Sequence, residues 1–258
     1  MATRLIDRIA VEVDGDGEAL VMLHGLGGTS NTYAPQMGVL TGRFKVVRID
    51  LPGSGRSAVP AVLSIQAYVD CVWRVFDALG IERAHLAGHS LGTTVCFHLA
   101  VQQPQRVLSL ALIAPVPCPP ETARPALRAR AEKARSEGMQ PIADMIVQAA
   151  TSGETKTRRL AAVAMVRESL MRQDREGYAR SCEALADAHA VDLVHIKCPV
   201  LLLGGDEDAV APPGSVRSIG EKLGHARTVI LSRCGHWLTL ENPEEVNTAL
   251  KEFYSSRN

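Results

Sequence analysis

The segment Gly88-His89-Ser90-Leu91-Gly92 sets one hydroxyl between two glycines, after the apolar run RAHLA and before the helical pattern LGTTVCFHLA. Glycines at those two places allow a sharp strand-to-helix turn, which forces the serine into the open at the end of a sheet. The helix N-terminus beside it favours negative charge through its free N–H groups and dipole. A serine so placed suits nucleophilic attack on a carbonyl, provided that a base takes its proton. The pattern alone is a moderate signal; a strand before it and a helix after it make it strong.

The base is sought among eight histidines. His98 falls inside a helical pattern, His225 begins a strand, and His189 and His195 end a helical stretch. His24 and His89 sit beside glycine turns, as loop supports. Only His236, in SRCGHWLTL, occupies a late loop between a strand and a helix, and imidazole exchanges protons near neutral pH. A carboxylate must fix its tautomer, and LLLGGDEDAVAPP offers Asp206, Glu207 and Asp208 beyond an apolar run. Asp208 is preferred, three residues after Gly205, with Asp206 as the rival. The order serine, acid, histidine is the one expected for a nucleophile on a strand–turn–helix. A developing alkoxide also needs amide donors. The loop His24-Gly25-Leu26-Gly27-Gly28 ends an earlier strand, so the amides of Leu26 and Leu91 are the expected oxyanion hole. Gly25, in the same loop, is placed at the substrate. Trp237 either lines the acyl pocket or packs under the loop.

Positioning these groups falls to short β-rich runs alternating with helix-length segments, the pattern of a mostly parallel sheet with helices on both faces. RIAVEV (residues 8–13) ends at the turn signal DGDG and reads as a hairpin arm. ALVMLHG, FKVVRID, RAHLAG, VLSLALIAP, PVLLLGG and RTVILS read as strands, the continuous apolar runs among them buried on both faces. Helices are expected over residues 31–40, 65–79, 91–103, 213–223 and 243–254. The rhythm breaks from Val116 to His195, where about four amphipathic helices are expected, from near Thr122, Pro141, Thr155 and Asp174. Eleven acids and twelve bases make this stretch a solvated helical layer. Met139, Met145, Ile146, Met165, Leu170 and Met171 are candidates to face inwards, as core or as substrate lining. An insertion of this kind suits a roof over a site at the carboxyl edge of the sheet. The chain accordingly divides into a core of residues 1–115 and 196–258 and a helical cap of residues 116–195. DLPGSGRS (residues 50–57) has Ser57 where a dinucleotide fingerprint needs glycine, so it reads as a tight loop.

Composition narrows the function. The chain has 258 residues, 46% of them hydrophobic, enough for a substantial core. Lys plus Arg and Asp plus Glu both number 28, which argues against nucleic acid or an acidic membrane as partner. No apolar run approaches a membrane span, and MATRLIDRIAVEV lacks the features of a secretory signal, so a cytoplasmic location is expected. Six scattered cysteines without a C-x-x-C pair read as buried reduced thiols, not as a disulfide framework or zinc site. The chemistry requires no metal or organic cofactor.

HGLGG, DLPGSGRS, GHSLG, GDEDAVAPP and CGHW, in that order, make nearly the whole chain resemble the α/β-hydrolase superfamily. The resemblance implies an α/β-hydrolase fold with an eight-stranded-type sheet, an inserted four-helix cap and a triad of Ser90, Asp208 and His236. DREGYARSCEALADAHAVDLVHIKCPVLLLGGDED is similar to the 3-oxoadipate enol-lactonase group, in which a Gly-Tyr motif falls in the last cap helix; Tyr178 is then a pocket residue or cap packing. The HGLGG and DLPGSGRS loops look more like those of general carboxylesterases. The expected protein is a serine hydrolase of a small carboxylic ester or lactone, working through an acyl-enzyme in a modest, mainly aliphatic pocket. Two rivals remain: a carbon–carbon bond hydrolase with the same triad, though such enzymes often have Asn where His89 stands, and a slow-turnover ligand receptor on a hydrolase scaffold.

Overall fold

The strand patterns build one eight-stranded sheet, ordered β1-β2-β4-β3-β5-β6-β7-β8, in a computed structural model that describes residues 3–255. The strands are β1 (Thr3–Ile6), β2 (Ile9–Asp14), β3 (Glu18–Leu23), β4 (Phe44–Ile49), β5 (Ala84–His89), β6 (Val107–Ile113), β7 (Val200–Gly205) and β8 (Arg227–Leu231). Pairing is antiparallel between β1 and β2 and between β2 and β4, and parallel across the rest. Helices cover both faces of the parallel part, so its inner strands are closed to solvent: every residue of β5 and β7 is buried, His85 and His89 of β5 included.

The RIAVEV segment does not fold back across DGDG, because β4 lies between it and β3. Its hairpin partner is β1, joined through Asp7 and Arg8, both at positive φ (46° and 68°). Two consecutive positive φ values twist a two-residue turn to match its strands. No glycine marks that turn, so the sequence hides it.

The helices outside the insertion are α1 (Met37–Leu40), α2 (Ile65–Ala78), α3 (Leu91–Gln102), α9 (Pro213–Leu223), α10 (Leu238–Glu241) and α11 (Pro243–Ser255). The helix expected from residue 31 is mostly a 3-10 segment over Ser30–Gln36 with Pro35 inside it, where the missing N–H interrupts an α ladder. Between β6 and β7 come α4 (Arg124–Glu137), α5 (Met139–Ala150), α6 (Gly153–Arg158), α7 (Leu160–Met171) and α8 (Arg175–Ala186). Five helices therefore replace the expected four among the described residues. The break falls at Arg159, whose backbone (φ −117°, ψ 53°) leaves the helical region and whose side chain faces Glu154 and Glu244.

Three clusters of buried side chains result. One face of the sheet packs on α2, α3 and α9, and the other on α11 and the 3-10 segment. The third lies among α4, α5, α7 and α8 and includes Trp237 from the sheet side. Met139 and Leu170 are buried in it, but Met145, Met165 and Met171 are 38%, 41% and 37% exposed. The inward stripes are filled by Ile142, Ala143 and Val147 on α5 and by Ala162, Val166 and Leu170 on α7, which turns those three methionines off the packed face. None of the six cysteines forms a disulfide; four are buried, and Cys118 and Cys198 are half-buried. Among the described residues no helix is long and apolar enough to cross a membrane.

Candidate active site

Ser90 stands between β5 and α3 at φ 50° and ψ −117°, a strained backbone for a residue with a Cβ. Its amide donates to the Ile113 carbonyl at 3.0 Å, and its carbonyl accepts from Thr93 N at 2.7 Å and Thr93 Oγ1 at 2.6 Å. The flanking glycines are demanded by close approach. A Cβ on Gly88 would lie 2.7 Å from the Gly92 carbonyl oxygen, and one on Gly92 would lie 2.2 Å from that of Leu23. The turn and the neighbouring strand β3 thus leave no room for side chains on either side of the hydroxyl.

The carboxyl ends of three parallel strands bring the expected partners to this turn. His236 Nε2 lies 2.9 Å from Ser90 Oγ, and His236 Nδ1 lies 2.8 Å from Asp208 Oδ2. Asp208 Oδ1 accepts from the amides of Val210 (2.7 Å) and Ala211 (2.9 Å). Burial raises the pKa of this carboxyl, but the facing imidazole and those two amides outweigh it and hold Asp208 below its ordinary value. An ionised carboxylate only accepts, so Nδ1 carries the hydrogen and Nε2 presents its lone pair to the serine hydroxyl. The rival acids are occupied elsewhere: Asp206 Oδ1 accepts from Cys234 N at 3.1 Å, and Glu207 Oε2 from Gly153 N at 2.8 Å.

The loops around this line are fixed by buried polar groups. Burial, with His236 beside it, pushes the His89 pKa from 6.5 down to about 3. Neutral His89 donates from Nε2 to the His236 carbonyl at 2.8 Å, and its Nδ1 is buried without a partner. Burial also lowers the pKa of His24. Its Nε2 accepts from Leu51 N at 2.9 Å, so Nδ1–H donates to the Gly25 carbonyl at 2.8 Å. Both histidines are loop supports, as their positions suggested. No sequence signal marks Glu241 as part of the site. Its buried carboxylate accepts from Ser152 N (2.8 Å), Gly235 N (3.0 Å) and Trp237 N (2.9 Å), clasping the loop on both sides of His236.

Leu91 is the first residue of α3, so its amide has no acceptor within the helix. Leu26 lines the cavity above Ser90. Among the described residues neither amide donates to a protein acceptor. The Leu26 loop is held from the insertion: the Gly27 carbonyl accepts from Ser169 Oγ at 2.8 Å and from Gln173 Nε2 at 3.2 Å. Gly25 does not line the cavity. It is packed against the serine turn, where a Cβ would come within 2.8 Å of His89 Nδ1 and 2.9 Å of Ser90 Cβ.

The cavity holds about 640 Å³ between the sheet edge and the insertion. Tyr178 and Trp237, both buried, form part of its wall with Ser90 and His236. Gly177, next to Tyr178, lets α8 approach the DLPGSGRS loop: a Cβ there would lie 2.2 Å from the Gly53 carbonyl oxygen. That loop is closed on Asp50, which accepts from Ser30 N at 2.7 Å and from Arg56 Nε at 2.9 Å. Most of the remaining wall is aliphatic, including Pro117, Pro119 and Pro120. These prolines belong to the strip VPCPP at the start of the insertion, where nothing in the sequence marks them as cavity wall.

A family model described as alpha/beta hydrolase fold matches residues 18–243. Similar curated proteins include the pimeloyl-[acyl-carrier protein] methyl ester esterase of Nitrosomonas europaea, 30% identical over 92% of this chain and 96% of that protein. Another is the 2-hydroxy-6-oxo-6-phenylhexa-2,4-dienoate hydrolase of Comamonas testosteroni, 28% identical over 94% and 90%. Among solved structures, the thermophilic esterase of Thermogutta terrifontis superimposes with a TM-score of 0.92 at 26% identity, over 96% of this chain and 93% of that one. The enol-lactonase of Burkholderia xenovorans LB400 gives 0.90 at 28% identity, over 98% and 100%.

Proposed function

Because this chain belongs to the alpha/beta hydrolase family, we propose that it is a serine hydrolase that cleaves a small carboxylic ester or lactone through an acyl-enzyme. Ser90 Oγ attacks the carbonyl carbon while His236 Nε2 takes its proton, and Asp208 stabilises the imidazolium through Nδ1–H. The oxygen of the tetrahedral intermediate is received by the Leu26 amide, in the loop after β3, and by the Leu91 amide at the start of α3, where the helix dipole adds to the two donors. His236 gives its proton to the leaving alkoxide. The same imidazole then takes a proton from water, which attacks the acyl carbon, and Ser90 leaves reprotonated with release of the acid. These steps need no metal or organic cofactor. Residues 116–195 act as a cap over a core of residues 1–115 and 196–258, and Tyr178 and Trp237 contact the substrate. The enzyme works in the cytoplasm, in keeping with six cysteines that form no disulfide.

The observation that carries this reading is the continuous hydrogen-bonded run from Ser90 Oγ through His236 to Asp208, at 2.9 and 2.8 Å. Relatives named as an esterase and an enol-lactonase favour the ester or lactone. Hydrolysis of p-nitrophenyl acetate and butyrate by the wild type, and its loss in Ser90→Ala, tests it; equal rates in both would remove Ser90 as nucleophile. A second reading, cleavage of a carbon–carbon bond in a vinylogous diketone, is favoured by the relative from Comamonas testosteroni. Turnover of such a diketone with none of the esters would select it.

A further inference from the structure

Helix α4 carries five cations, and four of them meet carboxylates. Arg124 pairs with Glu121 at 3.0 Å, Arg128 with Asp187 at 2.5 Å and Lys133 with Glu137 at 2.5 Å. Arg135 is surrounded by Glu132, Glu176 and Glu183. The fifth, Arg130, has no carboxylate partner among the described residues. It lies three residues after Leu127 and four before Ala134, on the stripe those residues bury. That register turns it away from the acids and into the wall of the cavity that holds Ser90 and His236. Its Nε is buried without a hydrogen-bond partner, and its guanidinium is a neighbour of the buried Tyr178 hydroxyl.

No acidic residue lines this cavity among the described residues. Its other cation, Lys222, is exposed near the end of α9 and keeps its water. A guanidinium stays charged at any working pH, and a half-buried one against aliphatic walls is unfavourable until a partner arrives. Its planar fork matches a carboxylate in two parallel hydrogen bonds.

We propose that Arg130, with Tyr178 beside it, binds a carboxylate of the substrate, so that the ester or lactone cleaved here carries a second acid group that is not cleaved. This inference rests on the hydrolase reading above for its substrate, but binding at Arg130 is measured separately from turnover.

Glutarate and its neutral diamide, glutaramide, are titrated calorimetrically into Ser90→Ala. Glutarate binds at least tenfold more tightly, and adding Arg130→Gln reduces glutarate affinity by about 10- to 100-fold, the range for a hydrogen bond to a charged group. Arg130→Lys retains part of the preference, as a point charge without the fork. In the active protein, Arg130→Gln raises KM for monoethyl glutarate at least ten times more than for diethyl glutarate. The melting temperature of Arg130→Gln does not fall, whereas a structural ion pair lost there would lower it. Equal binding of glutarate and glutaramide, or equal losses on both esters, overturns the assignment of Arg130 and leaves the hydrolase standing. Preferred binding of glutarate without turnover of any ester supports the carboxylate site and overturns the hydrolase.

Discussion

The carboxylate of Glu241 accepts hydrogen bonds from the amides of both residues that flank His236, Gly235 at 3.0 Å and Trp237 at 2.9 Å. The imidazole is therefore aimed by its backbone as well as by Asp208. Removing Glu241 leaves buried amides without an acceptor, at about 1–3 kcal/mol for each. Glu241→Ala is expected to lower stability by at least ~2 kcal/mol in urea melts. It should also lower kcat on p-nitrophenyl acetate more than it raises KM, because the group displaced is the base and not the pocket wall. Unchanged kcat in a protein that remains folded would separate the clasp from the chemistry.

The two candidate acids give opposite expectations. On the proposed mechanism, Asp208→Asn leaves His236 in the wrong tautomer and should cost about four powers of ten in kcat, the loss typical of a serine triad. Asp206→Asn changes only a loop contact to Cys234 and should cost less than about tenfold, the range of one ordinary hydrogen bond. Because the folded Asp208 pKa is depressed, its stabilisation is present above the unfolded value and lost as pH falls through the folded one. Asp208→Asn should accordingly flatten the acid limb of the stability curve.

Buried neutral histidine works on a different window. His89 has a folded pKa lowered from 6.5 to about 3. Below pH 6.5 the unfolded chain takes up a proton that the folded chain refuses, so stability falls as pH drops, by about 1.4 kcal/mol per unit for one such group. Above that value the group adds no pH dependence. His89→Asn keeps a donor for the His236 carbonyl but cannot titrate. Urea melts at pH 5 and pH 7.5 should show a smaller difference for the variant than for the wild type.

Gly92→Ala places a methyl 2.2 Å from the Leu23 carbonyl oxygen, an atom of a central strand that cannot retreat. Loss of folded protein, read by solubility and circular dichroism, is the expected outcome. Gly38→Ala, where the added atom meets nothing within 4 Å, is the control and should fold normally.

The parallel strands and the gathering of Ser90, Asp208 and His236 were legible because each signal is local: a continuous apolar run, or a reactive residue at its end. What escaped depends on atoms brought from afar. The turn at Asp7 and Arg8 uses positive φ without glycine, which residue identity does not advertise. Glu241 sits in a four-residue helix that only tertiary contacts stabilise. Arg130 had a readable trace, a charge on the apolar stripe of an amphipathic helix, but it is one of many arginines in a stretch whose balanced charge suggested a solvated surface. The exposed methionines differ from expectation for the opposite reason: hydrophobicity alone does not fix the phase of a side chain around its helix.

His236 takes some of its backbone support from across the cavity. Its amide donates to the Ala150 carbonyl at 2.9 Å, and the Ser152 amide reaches Glu241 from the same end of α5. Any swing of that end away from the sheet strips both contacts from the imidazole's perch, so ingress at this flank would disarm the proton acceptor just as a molecule arrived. Traffic is better served around Pro117, Pro119 and Pro120, elsewhere on the cavity wall, where residues lacking an amide hydrogen forfeit no donor when the chain shifts.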